Sequence, residues 1–417
     1  MQATKAHALI QAAERFGTPV YVYDQATILD RCRSLLAAIP YPRKKLLYAV
    51  KANSNQAVVK TILGAGFGLD CVSIGEVLLG RTLGAGTILY THNNVADAEF
   101  SAAVKMARAA KPRVWINCDS LQRLADLPRR SACFVRINGP VGGGHHDHVI
   151  TGGPDSKFGI PWEQMPEALS LAAARQHRII GVHQHIGSGI RDVAKFERAI
   201  EVLLSVVRRY RFPDLEYVNF GGGIGVPYRP TEQPMDLRAF GAMLTGRFSE
   251  FCREAGRDLT LMLEPGRFPV AEAGYLVVRA NTIKETPYGK TYVGVDSGFN
   301  HLVRPTMYGS YHHITNASNP RGKTRPYYVA GYICESGDIF TRGDGDENRA
   351  APRELPEVRR GDLLVLHNAG AYGYVMASEY NMRPRPPEVL LSGGKLVLAR
   401  RAKTVGELVR EALGSGR

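Results

Sequence analysis

Between Leu46 and Glu264 the chain alternates short β-favouring runs with amphipathic helical stretches. The runs are Leu46–Val50, Phe67–Val72, Ile88–His92, Arg113–Asn117, Ala132–Asn138, Ile179–Ile186, Leu215–Phe220 and Thr260–Glu264. Helical periodicity fills Gln56–Leu63, Gly75–Leu83, Asp97–Ala110, Trp162–Gln176, Asp192–Tyr210 and Leu237–Ala255. Eight strands alternating with helices in this way are what a (β/α)8 barrel requires, and an open doubly wound sheet is the alternative built on the same alternation.

Upstream, Ala6–Phe16 reads as a helix, Thr18–Tyr23 as a strand and Gln25–Ala38 as a second helix. After Gly274 the rhythm changes. Tyr275–Glu285, Thr291–Val295, Pro326–Phe340, Gly361–His367, Glu388–Leu391 and Lys395–Arg400 read as strands between turn formers, with helix returning only at Thr404–Leu413. The expectation is an α/β chain: a barrel over 30–274, and a second all-β domain, sandwich-like or barrel-like, from 275–417 and 1–29. In that arrangement the early strand crosses over to join the later ones. Gly343–Asn348 through Pro356 reads as a polar surface loop.

A net charge of +14 would suit an anionic partner, but the basic residues are scattered and no aromatic-interleaved basic stripe appears, which argues against nucleic acid. The six cysteines are spread out with no C-x-x-C pair, so reduced thiols in a cytoplasmic protein are expected. No apolar run reaches the roughly 18 residues of a membrane span.

In a barrel the active site forms at the carboxyl ends of the strands, and the unusual residues of this chain gather there. Lys51 follows the first run, Asp70 lies near the end of the second and His92-Asn93 close the third. Arg136 and Asn138 end the fifth, and His183-Gln-His-Ile-Gly-Ser188 ends the sixth. Gly221-Gly-Gly223 follows the seventh and Glu264-Pro-Gly-Arg267 the eighth. A lysine there could simply mark a solvated strand end; half-buried, it becomes an amine able to form a Schiff base with a carbonyl. Asp70 could cap a helix or pair with that amine. His183 and His185 share one side of a strand, which would suit zinc, but no third ligand converges on them and no metal is expected. Gly144-His-His-Asp-His148 reads as a polar loop.

Gly221-Gly-Gly-Ile-Gly225 lacks the helix that a dinucleotide site must open, yet its backbone N–H groups can close around a phosphate. That combination suggests a small phosphorylated cofactor. A carboxylate such as Glu264 against the ring nitrogen of pyridoxal phosphate would keep that nitrogen protonated. His185 would then lie on one face of the ring, and Asp70 would pair with the Lys51 amine.

Tyr48-Ala-Val-Lys-Ala-Asn53, His183–Ser188, Gly221–Gly223, Glu264–Arg267, Arg304-Pro-Thr-Met-Tyr308, Cys334-Glu-Ser-Gly-Asp338 and Gly370-Ala-Tyr-Gly373 stand in this order. In motif and order the chain resembles the barrel-type (fold type III) pyridoxal-phosphate decarboxylases, and among them the branch acting on diaminopimelate. The similarity runs from about Phe16 to Leu413. It implies that Lys51 carries pyridoxal 5'-phosphate, with Asp70, His185, Ser188, Gly222, Gly223, Glu264, Pro265, Gly266 and Arg267 around it. It also implies that Tyr372 touches both phosphate and substrate, and that Arg267, Arg304 and Tyr308 bind the distal carboxylate. Cys334 would be the proton donor and Glu335 the acceptor for the distal ammonium group. In relatives the Cys334–Glu335 segment enters from the partner subunit, so a homodimer with shared sites is implied. Two positions depart from the pattern: His301 stands where an acid is frequent, and Tyr332 where proline is common.

The reaction implied is decarboxylation of meso-2,6-diaminopimelate to L-lysine and carbon dioxide, the last step of lysine biosynthesis. Sister decarboxylases of ornithine, arginine, lysine or carboxynorspermidine are the alternative. An alanine-racemase-like enzyme shares the architecture but places arginine against the ring nitrogen, where this chain has Glu264. A regulatory homologue without activity would be expected to lose Lys51 or Cys334, and both are present.

Overall fold

The computed structural model describes residues 3–109, 111–140, 153, 156–343 and 346–414. The run Gly144–His148 lies outside them. The chain divides into two compact units, one comprising Leu29–Val226 and Pro234–Phe268, the other Met1–Ile28, Pro227–Gln233 and Pro269–Arg417.

The first unit is a closed parallel barrel. Its eight strands are Lys44–Ala49, Gly68–Cys71, Thr87–Tyr90, Arg113–Cys118, Ala132–Asn138, Arg178–His183, Tyr217–Asn219 and Thr260–Leu263. Each pairs in parallel with the next, and the eighth returns to the first in the register Leu261↔Lys44. Closure leaves none of the eight as an edge, which excludes the open sheet.

Helices follow the strands because the connecting residues start them. Asn55, Ser73, Ser120, Asp192 and Asp236 each accept a backbone N–H at a helix N-terminus with their side chains. The short helix Leu121–Asp126 has too few turns to show a periodicity in the sequence. Val193–Tyr210 is the opposite case, burying Phe196, Ala199, Ile200, Leu203, Leu204 and Val207 at helical spacing.

Side chains alternate along a strand, so residues two apart share the barrel interior. Leu47, Leu89, Trp115, Phe134, Ile180, Tyr217 and Met262 form one apolar cluster there. The Trp115 and Tyr217 rings lie 4.8 Å apart and the Phe134 and Tyr217 rings 5.6 Å apart. Gly181 must be glycine, since a Cβ at that position would run into the Phe134 ring. Two residues beyond Leu47, Gly68, Leu89, Trp115, Phe134, Gly181, Tyr217 and Met262 the character reverses. Ala49, Asp70, Thr91, Asn117, Arg136, His183, Asn219 and Glu264, one per strand, are all buried. All but the alanine are polar.

The second unit is a mixed nine-stranded sheet. Its main path runs Arg353–Pro356, Thr324–Ala330, Thr291–Val295, Gly274–Glu285, Val20–Asp24, Glu388–Ser392 and Lys395–Arg400. Leu363–Leu366 branches from Gly274–Glu285 and carries Ile314–Asn316. The early strand Val20–Asp24 is interior, antiparallel to Gly274–Glu285 and parallel to Glu388–Ser392. Leu9, Ala12 and Ala13 of the helix Ala3–Phe16 pack on Val20, Val22, Val277, Val365 and Val389.

Two expectations change here. Pro326–Phe340 is strand only to Ala330, because Gly331 turns the chain around the buried Asp338, which accepts the N–H groups of Phe299 (2.6 Å) and Ile333 (2.7 Å). Nor is the stretch after Gly343 all loop. Arg342–Gly343 pairs with Asp346–Ala350, and Arg353–Pro356 forms the sheet edge; its polar residues conceal the pairing because they face solvent. Among the described residues no helix is long and apolar enough to cross a membrane.

Candidate active site

Lys51 lies in a single 3-10 turn, Val50–Ala52, at the end of the first barrel strand. Its Nζ is 2.8 Å from Asp70 Oδ2, and its side chain is 34% exposed while that of Asp70 is fully buried. The lysine is therefore held rather than solvated, and the helix cap next to Asp70 falls to Ser73. Burial, followed by the charge of Glu264, pushes the Asp70 carboxyl upward, while Lys51 pulls it down.

At the end of the eighth strand, next to the first, Glu264 receives two hydrogen bonds. Asn219 Nδ2 donates to Oε1 at 2.7 Å, and His183 Nε2 lies 3.0 Å from Oε2. Burial works against a charge on Glu264, but His183 above all, then Lys51, outweigh it and hold the carboxyl well below its usual range. An ionised carboxylate only accepts, so His183 Nε2 is the donor. His183 Nε2 is thus committed to Glu264.

The glycines are demanded by close approach. Gly221 has φ +70°, and a Cβ there would strike the carbonyl of Gln184; one on Gly222 would strike the carbonyl of Glu264. Gly223, at φ +112°, comes within 2.8 Å of Gly187 O by the same measure. The Gly222 N–H donates to His185 Nδ1 at 3.1 Å. Burial and the positive charges of Lys51 and Arg136 push the His185 imidazole well down, so it is neutral. Pro265 O accepts the Ala49 N–H at 3.2 Å, Gly266 is buried, and the Arg267 guanidinium reaches Ser188 Oγ at 3.1 Å. This donor set fits pyridoxal phosphate: an amine for its aldehyde, an ionised acid for its ring nitrogen, and backbone N–H groups, a hydroxyl and a guanidinium for its phosphate.

The second unit holds the remaining candidates. Arg304 is buried in the turn Arg304–Tyr308, with Nη1 2.7 Å from Tyr228 Oη and Nη2 3.2 Å from Ser310 Oγ. Tyr308, four residues on, is half-buried, and Tyr372 has the left-handed φ of +56° that few non-glycine residues adopt. Cys334 and Glu335 sit on an exposed loop. Asn381 Nδ2 is 3.3 Å from the Cys334 sulfur, and Tyr380 Oη donates to Glu335 Oε1 at 2.7 Å. The two departures from the family pattern are neighbours: the His301 and Tyr332 rings lie 5.9 Å apart, and His301 Nε2 is 3.1 Å from Pro384 O.

Asn219, Tyr228, Ser310, Tyr380 and Asn381 were not singled out from the sequence. Asn219 could have been, standing two residues before the glycines and inward like Glu264; Tyr380 and Asn381 offer no such signal.

The model of the family "Pyridoxal-dependent decarboxylase, pyridoxal binding domain" matches residues 25–271. The diaminopimelate decarboxylase of Methanothermobacter thermautotrophicus is 42% identical, covering 96% of this chain and 93% of its own. A crystal structure of a diaminopimelate decarboxylase superposes with a TM-score of 0.89 at 34% identity, covering 98% of this chain and 96% of that one. That of the Helicobacter pylori enzyme, complexed with L-lysine, gives 0.86 at 27% identity, covering 97% and 99%. The chain belongs to the diaminopimelate decarboxylases, within the pyridoxal-dependent decarboxylase family.

Proposed function

We propose that this chain releases one carboxylate of meso-2,6-diaminopimelate as carbon dioxide and leaves L-lysine, using pyridoxal 5'-phosphate. The observation that carries the reading is the buried carboxylate of Glu264, kept ionised by His183 and standing at the end of the strand beside the one that leads to Lys51, the partner of Asp70. Lys51 would hold the cofactor's aldehyde, Glu264 its ring nitrogen, and Ser188, Gly222, Gly223 and the Pro265–Arg267 segment its phosphate and edge. When bound, the cofactor supplies a sink for the electron pair left as the bond from the substrate's α-carbon to its carboxylate breaks.

The protein's own residues do the rest. Asp70 keeps the Lys51 amine oriented, and Asn219 with His183 keeps Glu264 fixed and charged. His185, neutral and anchored by Gly222, would lie on one face of the cofactor's ring. By family resemblance Cys334 returns a proton to the α-carbon, Glu335 accepts the distal ammonium, and Arg267, Arg304, Tyr308 and Tyr372 hold carboxylate and phosphate oxygens. Charge-assisted pairs of both signs select a zwitterionic distal end over plain lysine or ornithine. The exposed loop carrying Cys334 and Glu335 suits a homodimer in which each copy completes the other's site. Five buried free cysteines suit a cytoplasmic enzyme.

The test is carbon dioxide release from meso-diaminopimelate beside lysine, ornithine, arginine and carboxynorspermidine, with cofactor present. Preference for diaminopimelate is expected; equal or greater turnover of any other amine overturns the substrate assignment.

A further inference from the structure

The polar layer of the barrel is satisfied on one side only. Asn219, Glu264 and His183 Nε2 bond to one another. On the neighbouring strands Asp70 Oδ1, both Asn117 side-chain atoms, Arg136 Nη2 and His183 Nδ1 are buried without a hydrogen-bond partner among the described residues. Asn117 and Asp70 are entirely inaccessible, and Arg136 is 5% exposed.

These atoms belong together. Arg136 and His183 are register partners on adjacent strands, and Asn117, partner of Phe134, lies diagonally next to Arg136 on the same face. Asp70 shares their layer, with Oδ2 on Lys51 and the Thr91 hydroxyl beside its carboxylate, and Thr91 stands at the end of the strand between those of Asp70 and Asn117. Their chemistry is complementary as well. Arg136 Nη2 and Asn117 Nδ2 donate, Asp70 Oδ1 and Asn117 Oδ1 accept, and His183 Nδ1 can do either. Buried polar groups almost always find partners, and where protein supplies none, ordered water making about three hydrogen bonds does so. A dry arrangement would leave Arg136 Nη2 and the Asn117 amide unmatched in a low-dielectric interior, even though the guanidinium lies 4.5 Å from the centre of the Phe158 ring.

We propose that Asn117 and Arg136 are positioning residues that organise a fixed cluster of buried water linking the Lys51–Asp70 pair to the His183–Glu264 pair. The inference rests on the proposed function for its catalytic meaning, but the water itself does not. Through it, the groups that hold the two ends of the cofactor are set relative to one another by hydrogen bonds that no direct side-chain contact makes.

Crystals of the wild-type holoenzyme diffracting well enough to show water provide the first test. Water within hydrogen-bonding distance of Asn117, Arg136 Nη2 and His183 Nδ1 is expected; an empty interval, or cofactor atoms in direct contact with these groups, overturns the proposal. The second test compares Asn117→Leu with Asn117→Ser, which leaves room for one more water. Asn117→Leu should lower kcat about tenfold with KM little changed and move the His183 ¹⁵N resonances of the apoprotein, while Asn117→Ser restores both. Wild-type kcat and His183 resonances in Asn117→Leu would overturn it. If Asn117→Leu does not fold, the wild-type crystals and Asn117→Ser decide the matter. Failure of the proposed function would show instead as a protein that binds no pyridoxal phosphate while the apoprotein still holds the water.

Discussion

Phe134 and Arg136, Tyr217 and Asn219, Met262 and Glu264 are pairs two residues apart on the same barrel strands, all buried. The first member of each packs rings and methylenes against its neighbours. The second brings a charge or an amide into the same low-dielectric space, which is costly unless it is paired. Burial is common to both layers, so burial does not distinguish core from site. What separates them is whether a side chain leaves something for a ligand to use: Phe134 is spent on Trp115 and Tyr217, whereas Glu264 keeps a charge that His183 and Asn219 hold in place.

Substitutions can break this contrast, and the largest effect lies just above the polar layer. Lys51→Ala should reduce turnover by about 10⁴-fold or more and abolish the visible absorbance of the bound cofactor. A borohydride-reducible adduct on another residue would remove Lys51 from its role. In the apolar layer, Phe134→Ala should cost about 3–5 kcal/mol of stability, read as a lowered Tm, while the folded fraction keeps its kcat. If kcat collapsed while Tm held, the two layers would not be separable.

Glu264→Gln is the converse, an isosteric change that should lower kcat by about 10²–10³-fold with Tm close to wild type. A large loss of Tm would make Glu264 structural. The smallest effect tests the cost of burial outside the barrel. Burial pushes the His301 imidazole down to about 4 from 6.5. The unfolded chain therefore takes up a proton that the folded one refuses, so His301's contribution is present above pH 6.5 and is lost as pH falls toward 4, on the order of 3 kcal/mol. Tm measured against pH should fall less steeply in this window for His301→Gln than for wild type; parallel curves would sink the assignment.

The eight-strand alternation was legible because each strand carries β-branched and aliphatic residues and each polar connection starts a helix. Lys51, Asp70, His185 and Glu264 could be read as a group because strand order places successive strand ends on one rim. The pairing of His183 with Glu264 was not legible, since the two stand 81 residues apart on different strands and no local spacing links them. The polar layer was missed for a different reason. Asn117, Thr91 and Asn219 look like ordinary ends of short strands until closure shows them at one height inside the barrel. The clamp of Tyr380 and Asn381 on the Cys334 loop depends on chain reversals that no local pattern announces.

Val20–Asp24 is made among the first residues of the chain yet sits between Gly274–Glu285 and Glu388–Ser392. During synthesis one of its edges can pair once Gly274–Glu285 has been made, but the other stays unmatched until Glu388–Ser392 follows. A strand made early thus locks together two made much later, and a change in Val20–Asp24 would be felt in both.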